Sequence, residues 1–167
     1  MAINSGFGDL GLMPSVLDRL IDLEPKISTE PARNRFSTLE DLKAAVRRDL
    51  EWLLNTRRMV AIVPEELEEL KKSVVMYGVP DISGVHIEHK VESANLKTAI
   101  ENSIRIFEPR FLDVAATLEP ISSTDRQLRF RIEATLDLDP VPEAMVFDTV
   151  LQLGSGAFAV NESAGGG

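Results

Sequence analysis

Cysteine is absent from this 167-residue chain, which excludes disulfide bonds and any metal site built on thiolates. Histidine occurs only at His86 and His89, and the spacing in His-Ile-Glu-His differs from that of a zinc-protease helix. We therefore expect no metal ion and no cofactor. Basic residues are outnumbered 18 to 27 by acidic ones, so the net charge is −9. Because nucleic-acid phosphates attract a positive surface, this balance argues against a nucleic-acid partner.

Long apolar runs are also missing. No segment approaches the roughly 18 to 20 apolar residues that a membrane span needs, and the N-terminus lacks the basic and apolar stretches of a secretory signal. We therefore expect a cytoplasmic protein without direct membrane insertion. Hydrophobic residues make up 44% of the chain, which is typical of a folded domain with a substantial core.

Composition and periodicity divide the chain into four parts. We predict a flexible N-terminus over residues 1–12 and a short helix with a polar linker over residues 13–36. An α+β domain follows over residues 37–153, and residues 154–167 are predicted to be a flexible tail rich in small residues. The short first helix, separated by its linker, could dock away from the core.

The second helix has the strongest periodic signal. Ser37 and Glu40 have the spacing of a capping box. Apolar residues then recur at three- and four-residue spacing and form one stripe: Leu39, Leu42, Val46, Leu50, Leu53 and Leu54. The only tryptophan, Trp52, points away from this stripe at about 100° per residue. Trp52 either packs under another segment or serves as a docking anchor, since tryptophan is enriched among interface hot spots.

Two further helices are predicted before the sheet. The third follows Pro64 and covers residues 65–77, with Gly78 placed to adopt a left-handed conformation at its end. The fourth begins near Ser93 and ends near Phe107, because Pro109 cannot continue a helix. A strand is expected to start near Arg110.

After this junction the hydrophobic period changes from 3.6 to 2. Alternating apolar residues predict strands over residues 112–118 and 128–138, and an apolar run returns over residues 144–153. The predicted architecture is α+β, with N-terminal helices followed by a small, mainly antiparallel three-stranded sheet. An open sheet leaves two edges with unpaired backbone groups. These edges must be covered or used, and strand addition from a partner is one such use.

The junction itself carries the sequence Glu108-Pro109-Arg110. If Glu108 and Arg110 are both extended, their side chains point to the same face. This corner presents an acid and a base at the start of the sheet. The alternative is an ordinary surface pair beside a proline that only ends the helix.

Catalytic motifs are not apparent. The chain has no phosphate-binding glycine loop and no nucleophile elbow. Glu40 and Asp49 are nine residues apart on one helix, which separates them by about 13.5 Å along the axis and turns them to opposite faces. Glycosidase carboxyl groups need roughly 5 to 9.5 Å and a shared cleft. We therefore expect that the protein is not an enzyme.

Four segments resemble the TssE family, the small baseplate subunits of bacterial type VI secretion systems, together with the related baseplate wedge proteins of contractile phages. The resemblance extends over roughly residues 13–153 and is carried by residues 15–20, 46–57, 73–81 and 107–111. Some members of this family carry an old lysozyme-like label.

The resemblance implies a cytoplasmic structural protein without enzymatic activity. It places Glu108, Pro109 and Arg110 at the junction between the baseplate wedge and the contractile sheath, and it implies that sheath subunits engage through strand pairing. It also implies that the first helix and its linker attach to the wedge subunits TssF and TssG. The alternatives are a peptidoglycan-cleaving, lysozyme-like enzyme and a generic adaptor of another assembly.

Overall fold

The computed structural model describes residues 18, 20–21, 26, 39–58, 63–64, 66–81, 90–119, 127–152 and 154–163. The helices are α1 (Leu39–Asn55), α2 (Glu68–Lys71) and α3 (Lys90–Phe107), with a 3₁₀ helix at Val74–Met76 between the last two. The strands are β1 (Phe111–Leu118), β2 (Gln127–Leu136), β3 (Glu143–Gln152) and β4 (Ala157–Glu162). The predicted flexible N-terminus, Ser37, His86 and His89 lie outside the described residues, as do most of residues 13–36.

The α+β architecture is confirmed, but the sheet has four strands and the prediction of three is wrong. Its order is β1-β2-β3-β4, and every neighbouring pair is antiparallel. The additional strand, β4, lies within residues 154–167, which we expected to be a flexible tail. Its apolar residues Phe158 and Val160 are both buried on the inner face of the sheet. This burial orders a segment of otherwise small residues.

One face of the sheet packs against α1 and α3 to form the core. In β2 the buried residues alternate with exposed ones along almost the whole strand, as the period of two predicts. The helices bury the apolar stripes that their 3.6-residue period predicts. The largest fully buried side chains come from both layers and include Leu42, Leu50, Ile100, Ile104, Phe130 and Phe147.

The third predicted helix is wrong as a continuous element. Within the described residues 66–77, the helical elements are the single turn α2 and the separate 3₁₀ helix. Ser73 interrupts them with an extended backbone (φ −80°, ψ 166°), and its hydroxyl donates to the Leu70 carbonyl at 2.8 Å. Serine side chains compete with helical hydrogen bonds in this way. Val74, within the range predicted as this helix, is 83% exposed.

A tight contact at Gly78 ties this region to the end of α1. Gly78 has a positive φ of 105°, which confirms the left-handed backbone predicted there. On one side of it, Val79 N–H donates to the Thr56 carbonyl at 2.9 Å, and Arg58 N–H donates to the Val79 carbonyl at 3.0 Å. The Gly78 carbonyl itself accepts from the buried Ser103 hydroxyl at 2.7 Å. This short ladder fixes where α1 ends relative to α3.

Among the described residues, no helix is long and apolar enough to cross a membrane. The same residues contain no group of three or more histidine, aspartate or glutamate side chains placed to hold a metal ion.

We expect Gly78→Ala to lower the free energy of unfolding by at least about 2 kcal/mol, because a positive φ strains residues with a Cβ atom. A Cβ there would also lie 2.3 Å from the Thr56 carbonyl oxygen. Gly154→Ala is the matched control, since its Cβ would meet nothing within 4 Å. Urea denaturation measures both variants. Equal stabilities would contradict the role of Gly78.

Candidate functional site

The Glu108-Pro109-Arg110 corner connects α3 to β1. Glu108 N–H makes the last helical hydrogen bond, to the Ile104 carbonyl at 2.8 Å. Phe111 N–H then donates to the Glu108 carbonyl at 3.2 Å, which closes a turn over residues 108–111. The predicted helix end at Phe107 is confirmed, and the strand starts at Phe111, close to the predicted Arg110. Arg110 is a central residue of this turn and not yet part of the strand, so the condition that Glu108 and Arg110 are both extended is not met.

The turn brings the two charged side chains into direct contact. Arg110 donates from Nε to Glu108 Oε1 and from Nη2 to Glu108 Oε2, both at 2.5 Å. Arg110 Nη2 also donates to Asp49 Oδ2 on α1 at 2.6 Å. Glu108 is only 4% exposed. The alternative of an ordinary surface pair is therefore wrong: this is a buried, two-pronged ion pair with a second carboxylate attached.

The electrostatic surroundings of Arg110 favour its cationic form. Burial by itself would lower the pKa of Arg110. Hydrogen bonds and charge interactions with Glu108 and Asp49 outweigh this effect, so the pKa is raised above its ordinary value. The guanidinium thus stays charged and uses its planar fork of donors on two carboxylates at once.

The network continues beyond the corner along α1. Asp49 Oδ1 accepts from Arg48 Nε at 3.1 Å and from Arg48 Nη2 at 2.8 Å. Arg48 also donates to Asp18 Oδ1, in the segment predicted as the first helix. Acids and arginines thus alternate from Glu108 through Arg110, Asp49 and Arg48 to Asp18. We call these five side chains the charged network.

Trp52 lies at the Arg48 end of the charged network. The Arg48 guanidinium carbon is 5.2 Å from the centre of the Trp52 ring, within the range of a cation–π contact. Trp52 is 45% exposed, so it is not part of the core. The structure therefore joins the two sites that the sequence predicted separately, the corner and the tryptophan, through Arg48 and Asp49.

An aromatic contact covers the corner from another side. Tyr77 and Phe107 meet edge to face with ring centres 5.2 Å apart. Burial raises the pKa of the Tyr77 hydroxyl, and the charges of Asp49 and Glu108 raise it further. Tyr77 is held near the corner by the ladder at Gly78, so the two features depend on each other.

Sequence reasoning missed the roles of Arg48 and Asp49. Asp49 was considered only as half of an acid pair with Glu40, which is exposed near the start of α1. A signal was present, because Asp49 lies three residues after Val46 and four before Leu53, at the border of the apolar stripe. An acid in that position is only half solvated and favours a basic partner from another element.

The arrangement joins the turn to α1 through arginine–carboxylate bonds. Both carboxylate oxygens of Glu108 and both of Asp49 accept hydrogen bonds from arginine side chains. Charge-assisted bonds of this kind are stronger than neutral ones and fix the orientation of the groups they connect.

We expect Arg110→Ala to lower the free energy of unfolding by about 3 to 5 kcal/mol, because it leaves the buried Glu108 carboxylate unpaired. Arg131→Ala is the matched control: its partners Asp148 (3.3 Å) and Glu119 (3.6 Å) are solvent-accessible. That change should cost about 1 kcal/mol or less. Adding Glu108→Leu to an Arg110→Met variant should recover part of the loss, since no charge then remains buried at the turn. Denaturant unfolding of the four proteins measures this, and equal effects of the two arginine-to-alanine changes would contradict it.

Comparison with known protein families identifies one family that this chain matches. The family model described as baseplate wedge protein gp25 matches residues 40–141, which is more than half of the chain and includes α1, the corner, β1 and β2. A search of curated proteins gave no match. On the strength of the family match, this chain belongs to the family of baseplate wedge protein gp25.

Proposed function

We propose that this protein is a structural baseplate component of a type VI secretion system and that it links the baseplate wedge to the contractile sheath. Family membership supports a phage-baseplate-like component. The observation that carries the finer proposal is the charged network, because it connects the start of the sheet to an exposed tryptophan on another element. A linking subunit needs two contact surfaces held in a fixed relation to each other.

The wedge-facing surface in this proposal lies around Trp52 on α1. Its exposed ring offers the large, rigid apolar contact that interface hot spots use. Asp18, from the segment assigned to wedge attachment, already lies against Arg48 beside it. The partners proposed for this surface are the wedge subunits TssF and TssG.

The sheath-facing surface in this proposal is the sheet that begins at the corner. Glu108 is buried and Arg110 largely so, which limits their direct contact with a partner. We infer that they act by fixing the direction in which β1 leaves α3, while the exposed Pro109 limits the turn's conformations. The Glu-Pro-Arg motif would thus position the sheath contact.

The proposal includes the absence of enzymatic activity, in a cytoplasmic location. The competing function is peptidoglycan cleavage, for which Glu108 and Asp49, which share Arg110, would be a candidate acid pair. Both are bound to Arg110, and Glu108 is shielded from solvent. We expect no clearing of purified peptidoglycan at catalytic amounts of protein; clearing that Glu108→Gln abolishes would overturn the structural assignment.

Arg110→Lys tests the corner with less loss of stability than Arg110→Ala, because it keeps the charge and removes the planar fork. We expect a folded protein by circular dichroism that still co-purifies with TssF and TssG. Fluorescence imaging in cells should show at least tenfold fewer sheaths. Arg131→Lys is the matched control and should assemble sheaths normally. Normal sheath numbers in the Arg110→Lys strain would contradict the role given to the corner.

Trp52→Ala tests the wedge surface. We expect it to weaken binding to the TssF–TssG complex by about 2 kcal/mol or more, because an anchor ring is lost. The melting temperature should change little, since the ring is half exposed. Leu53→Ala, next to it but buried, should instead destabilise the fold by about 2 to 5 kcal/mol. Unchanged binding of the Trp52 variant would favour a generic adaptor role through another surface.

A further inference from the structure

Asp49 lies in the middle of the charged network, between its two arginines. Asp49 Oδ1 accepts from Arg48 Nη2 at 2.8 Å, and Asp49 Oδ2 accepts from Arg110 Nη2 at 2.6 Å. Because a different oxygen serves each arginine, one orientation of the carboxylate satisfies both. Each bond therefore favours the orientation that the other bond needs, as in cooperative hydrogen-bond networks generally.

Neither arginine depends on Asp49 alone for a counter-charge. Arg110 is also bonded twice to Glu108. Arg48 also donates to Asp18. The Asp49 side chain is 21% exposed, so water can replace a partner that it loses. Releasing Asp49 would thus loosen both arginines without leaving a buried charge unpaired, which is the change that destabilises a fold strongly.

The two arginines lead to different parts of the protein. The Arg48 guanidinium lies over the Trp52 ring, which is 45% exposed on α1. Arg110 lies in the turn that leads into β1 and is paired there with the buried Glu108. Asp49 itself has little exposed area to offer a partner. Its contacts are those of a residue that acts by positioning its neighbours.

We propose that Asp49 is a positioning residue that couples the exposed Trp52 ring to the Glu108-Pro109-Arg110 corner. While both of its bonds are made, Asp49 holds Arg48 over the ring and Arg110 in the turn. A change at either end frees the carboxylate to turn and so alters the other end. The coupling is reciprocal, because a single free energy is shared by the two sites. It belongs to the isolated chain and does not depend on which partners the protein has.

Trp52 is a probe for this coupling, because it is the only tryptophan in the chain. Acrylamide quenching of its fluorescence measures how accessible the ring is. We expect Asp49→Asn to raise the quenching constant by about 1.5-fold or more, since an uncharged amide no longer holds Arg48 over the ring. Glu51→Gln is the matched control. It removes the same charge one residue before Trp52, from a pair with Arg47 at 3.9 Å, and should leave the constant unchanged.

Arg110→Lys tests the coupling from the far end of the network. Lysine keeps the charge but lacks the planar fork that bonds Glu108 and Asp49 together, so the Asp49 carboxylate is released. We expect the Trp52 quenching constant to rise in this variant too. In a double variant with Asp49→Asn, Arg110→Lys should add nothing further, because the link is already removed. Arg131→Lys is the control and should not change the constant.

The outcomes separate a link from two independent sites. An unchanged Trp52 quenching constant in folded Arg110→Lys would overturn the proposal, whether or not Asp49→Asn folds. Fully additive effects in the double variant would also overturn it, because the two ends would then act independently. Circular dichroism establishes folding. Unfolding of both single variants would make the network a requirement of the fold and would equally overturn a positioning role.

A second readout rests on the proposed function. If Trp52 contacts the wedge, Asp49→Asn should weaken binding to the TssF–TssG complex by about two- to fivefold, because the ring and Arg48 are less well positioned. Glu51→Gln should bind normally. Unchanged affinity of the folded Asp49 variant would overturn the extension of the coupling to the wedge contact. Absence of binding by the unmodified chain would instead overturn the proposed function, and the quenching experiment, which uses no partner, would be unaffected.

Discussion

The Arg110 guanidinium, held between Glu108 and Asp49, is the interaction on which the rest of the structure depends. Burying the Glu108 carboxylate, and part of Arg110 and Asp49, carries a desolvation cost that a well-packed apolar cluster would avoid. What the charged group supplies instead is direction. Arg110 donates two hydrogen bonds to Glu108 and one to Asp49, and these bonds fix the guanidinium plane. The turn, α1 and the start of β1 can therefore meet in one arrangement.

Helix and strand geometry explain how side chains of α3 reach successive backbone groups at the β1 edge of the sheet. Four residues of helix rise about 6 Å, and two residues of strand rise about 6.6 Å. Glu101 and Arg105 therefore face Ala116 and Val114, two successive outward-facing residues of β1. A helix packed along an edge strand can thus offer charged side chains to alternate backbone groups. This protects an edge from uncontrolled pairing.

Periodic signals accounted for the parts of the fold that could be predicted. The stripe of α1 and the alternation in β2 arise from local spacing, and the end of α3 at Phe107 follows from Pro109. β4 was missed because Gly154, Ser155 and Gly156 precede a strand with only two buried apolar residues. The Asp49–Arg110 bond joins residues 61 positions apart, and no local pattern encodes such a pair. The sequence also does not indicate that helix side chains bond to the backbone of the edge strands, because those bonds depend on how the two layers pack.

The charged network also constrains how the two proposed surfaces can influence each other. Arg48 contacts the Trp52 ring and shares Asp49 with Arg110, so Trp52 and the first residue of β1 are separated by a few charged side chains. A partner that covers Trp52 would exclude water from Arg48 and strengthen its bonds to Asp49. That favours the same guanidinium arrangement that directs β1. Coupling through such a contiguous network needs no change of fold, only a bias towards one side-chain arrangement. Contacts at Trp52 and the direction of β1 would then be linked through Asp49.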